Sequence, residues 1–223
     1  PMVNVGGWYD IFSQGNVDNF MGLQYGGAHG ARGQQKLLMG PFGHGRLSGD
    51  LKYPEGRDGF DQVEFFEHWL KGVDNEFDES PNVRYFVMGD TMNANAPGNV
   101  WRTADAWPPE SNATSFYLHP SGQLSTDLPE KRNSKSRFTF DPTDPVPTLG
   151  GNNLMMARGP MDQRDASARD DVVVFETEPL EQAIEIAGRV IAKLFVSTKA
   201  EDTDFMVKLV DVYPNGYEAL VLD

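Results

Sequence analysis

Apolar residues occur in short runs cut by glycine and proline along the first ~90 residues. Residues 1–6 (PMVNVG) form one such run, ending at the Gly6-Gly7 turn, and residues 36–39 (KLLM) form a second, stopped by Gly40-Pro41. Residues 83–88 (VRYFVM) give a third. Runs this short, bounded by turn signals, predict central parallel strands buried on both faces. Between them, residues 15–25 read as a weak helix and 26–33 as a glycine-rich loop. Residues 60–71 are the best helix, with Val63, Phe66 and Leu70 at helical spacing and Gly72 as its stop. Alternation of strand and helix is the mark of an α/β sheet.

Beyond residue 93 the pattern changes. A connector rich in Pro, Trp and Asn runs over 93–111, and no helical period follows it. Strands are expected at 116–119, 137–140, 172–176, 184–186, 189–197 and 205–212, separated by turns such as Pro120-Ser121-Gly122 and Pro214-Asn215-Gly216. The alternation is clearest at Val190, Ala192, Leu194 and Val196, and again at Phe205, Val207 and Leu209. Short strands at this spacing predict a β-sandwich. The expected organisation is therefore α/β over 1–110 followed by all-β over 111–223, with the sandwich incomplete at its C-terminal end.

Composition narrows the partners. The 223 residues carry 19 basic and 33 acidic side chains, a formal charge of −14, which disfavours nucleic acid and anionic membrane surfaces. Without cysteine the chain has no disulfide, thiolate metal site or Cys nucleophile. No run of ~18 apolar residues suits a membrane span. Nothing in the chain fixes its compartment.

Two side chains carry candidate chemistry. Asp10 follows the first strand and His44 follows the second, in Gly43-His44-Gly45. Taken singly, an Asp after a glycine turn is most often a turn residue, and a His in a glycine loop an exposed one. Together, on consecutive strand ends and in the order acid then base, they match the Ser…Asp…His order of α/β-hydrolases. The carboxylate would orient the imidazole, and the imidazole would act as general base. No serine here has a G-x-S-x-G context; Ser48 in Gly45-Arg46-Leu47-Ser48-Gly49 is one place late and follows the acid. The nucleophile is thus expected upstream of Pro1, and the chain by itself is expected to be inactive. His29, His68 and His119 read as structural or exposed. Asp202 and Asp204 read as turn residues, and no metal-ligand spacing or phosphate-binding glycine loop is present, so no metal or cofactor is expected.

The ordered segments GGWYDIF, GPFGHG, FFEHWLKG, VRYFVMG, WRTADAWPP, FYLHPSGQLS, DPTDPVPTLGG, GPMDQR, RDDVVVFETEPL and DTDFMVKLVDVYPNG resemble the CocE/NonD family of serine hydrolases, relatives of the Xaa-Pro dipeptidyl-peptidases. The likeness covers essentially the whole chain. It implies the C-terminal part of an α/β-hydrolase domain followed by a jelly-roll β-sandwich. It further implies Asp10 as triad acid, His44 as base, and a partner segment upstream that supplies the serine. The substrate would be a small ester, amide or peptide; self-association is left open. Family members that favour amino-acid esters carry carboxylates two and three residues after the acid, where this chain has Phe12 and Ser13, so an ammonium-bearing substrate is disfavoured. Phe12, Trp8, Leu154 and Met155 are the implied substrate contacts. The alternatives are an Xaa-Pro dipeptidyl-peptidase and, outside catalysis, a carbohydrate-binding or assembly module.

Overall fold

A computed structural model describes residues 1–54, 59–130 and 134–223. The first half builds one four-stranded sheet from β1 (Val3–Tyr9), β2 (Lys36–Gly43), β3 (Val83–Val87) and β4 (Val100–Ala104), in that spatial order. β1, β2 and β3 run parallel, and β4 closes the edge antiparallel to β3. Helix α1 (Ser13–Gly26) links β1 to β2, and α2 (Gln62–Lys71) lies between β2 and β3. Strand–helix alternation therefore gives the parallel sheet that the pattern predicts.

The centre of this sheet is the KLLM run. Leu37 and Met39 on β2 are fully buried and pack with Val17 and Phe20 of α1, Val83 and Tyr85 of β3, and Trp107. β2 outruns its predicted end at Met39 and continues to Gly43. The extension pairs with β1 alone, because β3 pairs no further than Met39↔Tyr85. Pro41 therefore lies on a strand edge, where its missing N–H costs no ladder bond. Gly7 stands opposite Gly40 in the register. A Cβ on Gly7 would lie 2.0 Å from the Phe42 carbonyl oxygen, so only glycine permits this approach.

Helix α2 begins two residues later than predicted. Asp61 is its cap, accepting from the amides of Val63 (2.7 Å) and Glu64 (3.2 Å). Gly72 ends it in a left-handed conformation, φ 69°.

The second half holds two hairpins, β5 (Tyr117–Leu118) with β6 (Leu124–Ser125), and β7 (Leu209–Val212) with β8 (Glu218–Leu222), with the short helix α3 (Arg164–Ser167) between them. Single bridges add Gln123 to Glu176 and Asp162 to Ala219. The described residues thus form sheets but no closed barrel, and a jelly roll is not formed among them. The strands expected at 137–140, 172–176, 184–186 and 189–197 are absent, as is the first part of 205–212. Val190, Leu194 and Val196 alternate as a strand would, yet all three are exposed. An alternating face folds into a sheet only against a neighbouring strand, and no strand of the described residues lies beside it.

The β7–β8 hairpin is anchored on the first half. Leu51 and Tyr53 pack with Tyr213, Tyr217 and Ala219. The Tyr9 hydroxyl donates to the Leu220 carbonyl, and the Tyr53 hydroxyl donates to the Gly89 carbonyl at 3.2 Å.

Candidate active site

Two adjacent parallel strands end in the two candidate catalytic loops. Just past β1 the chain turns sharply: the Asp10 amide donates to the Gly7 carbonyl (3.1 Å) and the Ser13 amide to the Asp10 carbonyl (2.9 Å). The Asp10 carboxylate is held inside this turn, Oδ1 accepting from the Phe12 amide at 2.9 Å. Its other oxygen, Oδ2, faces His44 Nδ1 at 3.4 Å. Past β2, a tight Gly43–Gly45 bridge presents His44; Gly45 has φ 128°, a conformation that glycine alone adopts freely.

The Asp10 side chain is 14% exposed and that of His44 48%. A mostly buried carboxylate thus sits behind an imidazole open to solvent. Among the described residues no hydrogen bond engages His44 Nε2. A separation of 3.4 Å is long for a hydrogen bond, and catalytic contacts of this kind tighten when substrate binds. The arrangement can fix one imidazole tautomer and leave the second nitrogen to exchange a proton.

Of the four implied substrate contacts, one touches this pair and two lie on a loop tied to it. The Phe12 ring stands edge-on to the His44 ring, centroids 5.5 Å apart, and is largely exposed. Leu154 and Met155 lie on the tip of the 152–158 loop, Met155 being 90% exposed. The Arg158 guanidinium ties the Leu154 carbonyl to the His44 carbonyl, 2.7 Å to each, and so holds that tip beside the histidine. Trp8 stands apart. Its indole N–H donates to the Phe86 carbonyl at 2.8 Å and its ring packs on Trp107 at 5.5 Å, contacts that belong to the core.

The other histidines lie elsewhere. His119 bonds the Asp127 carbonyl (2.9 Å) in the β5–β6 turn, and His68 packs on Trp69 in α2. Among the described residues no three His, Asp or Glu side chains converge on a metal site, and no helix is long and apolar enough to cross a membrane.

Two residues near the pair escape a reading of the sequence. Asn152 Nδ2 donates to the Asp10 carbonyl (3.1 Å) and Ser13 Oγ (2.9 Å), and Arg158 reaches the His44 carbonyl. The one signal in the chain is the bracketing of 152–158 by Gly150, Gly151 and Gly159, all at positive φ.

Comparison with known proteins places the chain. Residues 75–223 match the family model of the X-Pro dipeptidyl-peptidase C-terminal non-catalytic domain. The chain is 35% identical to cocaine esterase of Rhodococcus sp. (strain MB1 Bresler), an alignment covering all of this chain and 40% of that enzyme. The chain belongs to the CocE/NonD family. It corresponds to a C-terminal portion of such proteins and spans about two fifths of the length of cocaine esterase. A candidate serine esterase of Mycobacterium bovis is 27% identical over 97% of this chain and 33% of its own length, and one of Mycobacterium tuberculosis matches equally. A CocE/NonD family hydrolase structure from Staphylococcus aureus superposes with a TM-score of 0.40 at 18% identity, over 57% of this chain and 21% of that one. That likeness is too distant to bear on the fold. The CocE/NonD family is a family of serine hydrolases, and the Rhodococcus and mycobacterial relatives are named as esterases. Asp10 and His44 precede the matched non-catalytic domain, whereas Asn152 and Arg158 lie within it.

Proposed function

We propose that the whole protein cleaves an ester or amide of a small molecule through a Ser-His-Asp triad, with Asp10 as the acid, His44 as the base and the serine on a segment preceding this chain. The observation that supports it is the facing of His44 Nδ1 and Asp10 Oδ2 at 3.4 Å on the carboxyl ends of adjacent parallel strands, where open α/β sheets gather reacting groups.

His44 Nε2 takes the serine hydroxyl proton as the oxygen attacks the substrate carbonyl carbon, giving a tetrahedral oxyanion and an imidazolium. Asp10, ionised and held by the Phe12 amide, stabilises that imidazolium without taking its proton. The imidazolium passes the proton to the leaving alcohol or amine as the C–O or C–N bond breaks, leaving an acyl-enzyme. Water repeats the sequence: His44 takes its proton, hydroxide adds to the acyl carbon, and the serine oxygen leaves with the proton returned. Phe12 forms an aromatic wall beside the base, and Leu154 and Met155 are the further contacts offered by the 152–158 loop.

Phe12 and Ser13 leave no carboxylate beside the acid to pair a substrate ammonium, so the acyl group is neutral there. The dipeptidyl-peptidase domain match favours one second reading, release of Xaa-Pro dipeptides; a panel of Xaa-Pro anilides against p-nitrophenyl esters separates the two. In the β-rich half, the alternating 190–196 segment supports a jelly roll completed in the whole protein.

The test uses the whole enzyme and this chain side by side. Chain 1–223 alone should be inactive on p-nitrophenyl esters and acyl amides, and the preceding segment should restore turnover. In the whole enzyme, His44→Ala should lower kcat at least ~10³-fold. Turnover by the isolated chain, or near-normal turnover by His44→Ala, refutes the assignment.

A further inference from the structure

The strongest feature outside the acid–base pair is the loop that crosses it from the other half of the chain. Gly151 and Gly159 exchange backbone hydrogen bonds of 3.0 and 3.1 Å and close residues 152–158 into a loop. The loop is internally braced: Asn153 Nδ2 bonds the carbonyls of Gly150 and, at 3.4 Å, Ala157. It is fixed to the segment after His44 by the Ser48 amide donating to the Arg158 carbonyl (2.9 Å) and the Arg158 amide donating to Ser48 Oγ (3.3 Å).

From this braced loop two side chains reach the two catalytic loops. Arg158 Nη1 donates to the His44 carbonyl at 2.7 Å, while Nη2 holds the Leu154 carbonyl at 2.7 Å. Its methylene stem lies against Gly43, where an added Cβ would come within 2.8 Å of Arg158 Cδ. Asn152 Nδ2 donates to the Asp10 carbonyl and to Ser13 Oγ. Each catalytic residue is therefore held at its own backbone carbonyl by a side chain from a single loop.

We propose that Asn152 and Arg158 are positioning residues that set the distance between Asp10 and His44, so that the part of the chain matching a non-catalytic domain tunes catalysis. The proposal rests on the reading of Asp10 and His44 as acid and base. Their 3.4 Å separation has to shorten for the imidazolium to be well stabilised, and the last ladder pair of β1 and β2, Tyr9↔Gly43, stands one residue before each of them. Past that pair the ladder stops, and the braced loop adds a grip on the carbonyl of each residue. Charge-assisted bonds from a guanidinium to carbonyls are stronger than neutral ones and directionally fixed. A misplacement of about 1 Å in such a pair can cost on the order of 10²-fold in rate.

The experiment measures kcat and KM of the whole enzyme for a p-nitrophenyl ester with Arg158→Ala, Arg158→Lys, Asn152→Ala, Arg102→Ala and His44→Ala. Arg158→Ala should lower kcat roughly 10–100-fold with KM changed less than about threefold, and millimolar guanidinium should restore part of the lost kcat. Arg158→Lys, which offers one point donor in place of a fork, should fall between. Asn152→Ala should lower kcat in the same sense while changing the melting temperature little. Arg102→Ala, which removes a distant surface pair with Glu185, should leave kcat unchanged. Wild-type kcat in both Arg158→Ala and Asn152→Ala, with His44→Ala inactive, overturns this inference and leaves the triad reading standing. Activity in His44→Ala overturns both. Loss in Arg158→Ala without guanidinium rescue, together with normal kcat in Asn152→Ala, assigns the arginine to stability and also overturns the proposal.

Discussion

Tyr9 is 2% exposed, and its hydroxyl donates to the Leu220 carbonyl, so one phenol on β1 joins the parallel sheet to the β7–β8 hairpin. Tyr9→Phe keeps the ring and removes the donor, leaving a buried carbonyl short of a partner. The expected loss is about 1–2 kcal/mol in denaturant unfolding; unchanged stability would mean that water or the β-ladder satisfies Leu220 instead. Lys36 makes the same point from the opposite direction. It opens a run read as apolar, yet it is buried with its ammonium on the carbonyls of Asp78 (3.3 Å) and Ser80 and on Asn82 Oδ1 (3.2 Å). Burial pulls its pKa below the ordinary lysine value, against the nearby Asp78 carboxylate. That Asp10 and His44 stand on neighbouring strand ends was legible, because glycine stops and chain order mark those ends. Tyr9, Asn152 and Arg158 were not, because they grip backbone carbonyls, which every residue has and which leave no pattern in a sequence.

Among elements, β1 and β2 show what the glycines accomplish. Gly7 and Gly40 face one another across the parallel pair, and Phe42 fills the space that their missing side chains leave. Gly7→Ala would drive its Cβ into a backbone oxygen, so the strand rather than a side chain must move. We expect a loss of at least about 2–3 kcal/mol in unfolding free energy. A variant as stable as the parent would show that β1 can shift at no cost. In the first half β1, β2, β3, α1 and α2 were legible to within a few residues, since short apolar runs and caps such as Asp61 act locally, whereas β4 falls in the stretch read as a connector and was not. β2 ran past Gly40-Pro41 because pairing with β1 overrides a local stop signal. The strands expected over 137–197 failed for the converse reason: alternation reports a willingness to pair and cannot supply the neighbour.

At the scale of the whole molecule the two halves meet on tyrosines. Tyr9, Tyr53, Tyr213 and Tyr217 gather where Leu51 and Ala219 pack, and burial raises the pKa of each phenol, for Tyr9, Tyr53 and Tyr213 well beyond the ordinary value. An acid whose folded pKa is raised lends its stability below the unfolded value of about 10, and that stability is lost as pH rises through the folded value. The seam should therefore fail on the alkaline side. Absorbance at 295 nm and circular dichroism, followed together from pH 9 to 13, should show part of the tyrosine ionisation arriving only as ellipticity is lost. Complete ionisation with the fold intact would contradict this. Family membership was legible across the chain because ten ordered segments carry it, while the seam depends on residues more than a hundred positions apart.

The bonds from Asn152 and Arg158 end on main-chain oxygens at Asp10 and His44, and this has an evolutionary consequence. A grip on the main chain is indifferent to the side chains around it. Exchanges at Ile11 and Phe12 would therefore leave that grip in place, so that, if Asp10 and His44 act as acid and base, the surface beside them could change while their spacing is kept. Selection for a new substrate and retention of the old chemistry would act on separate sets of atoms.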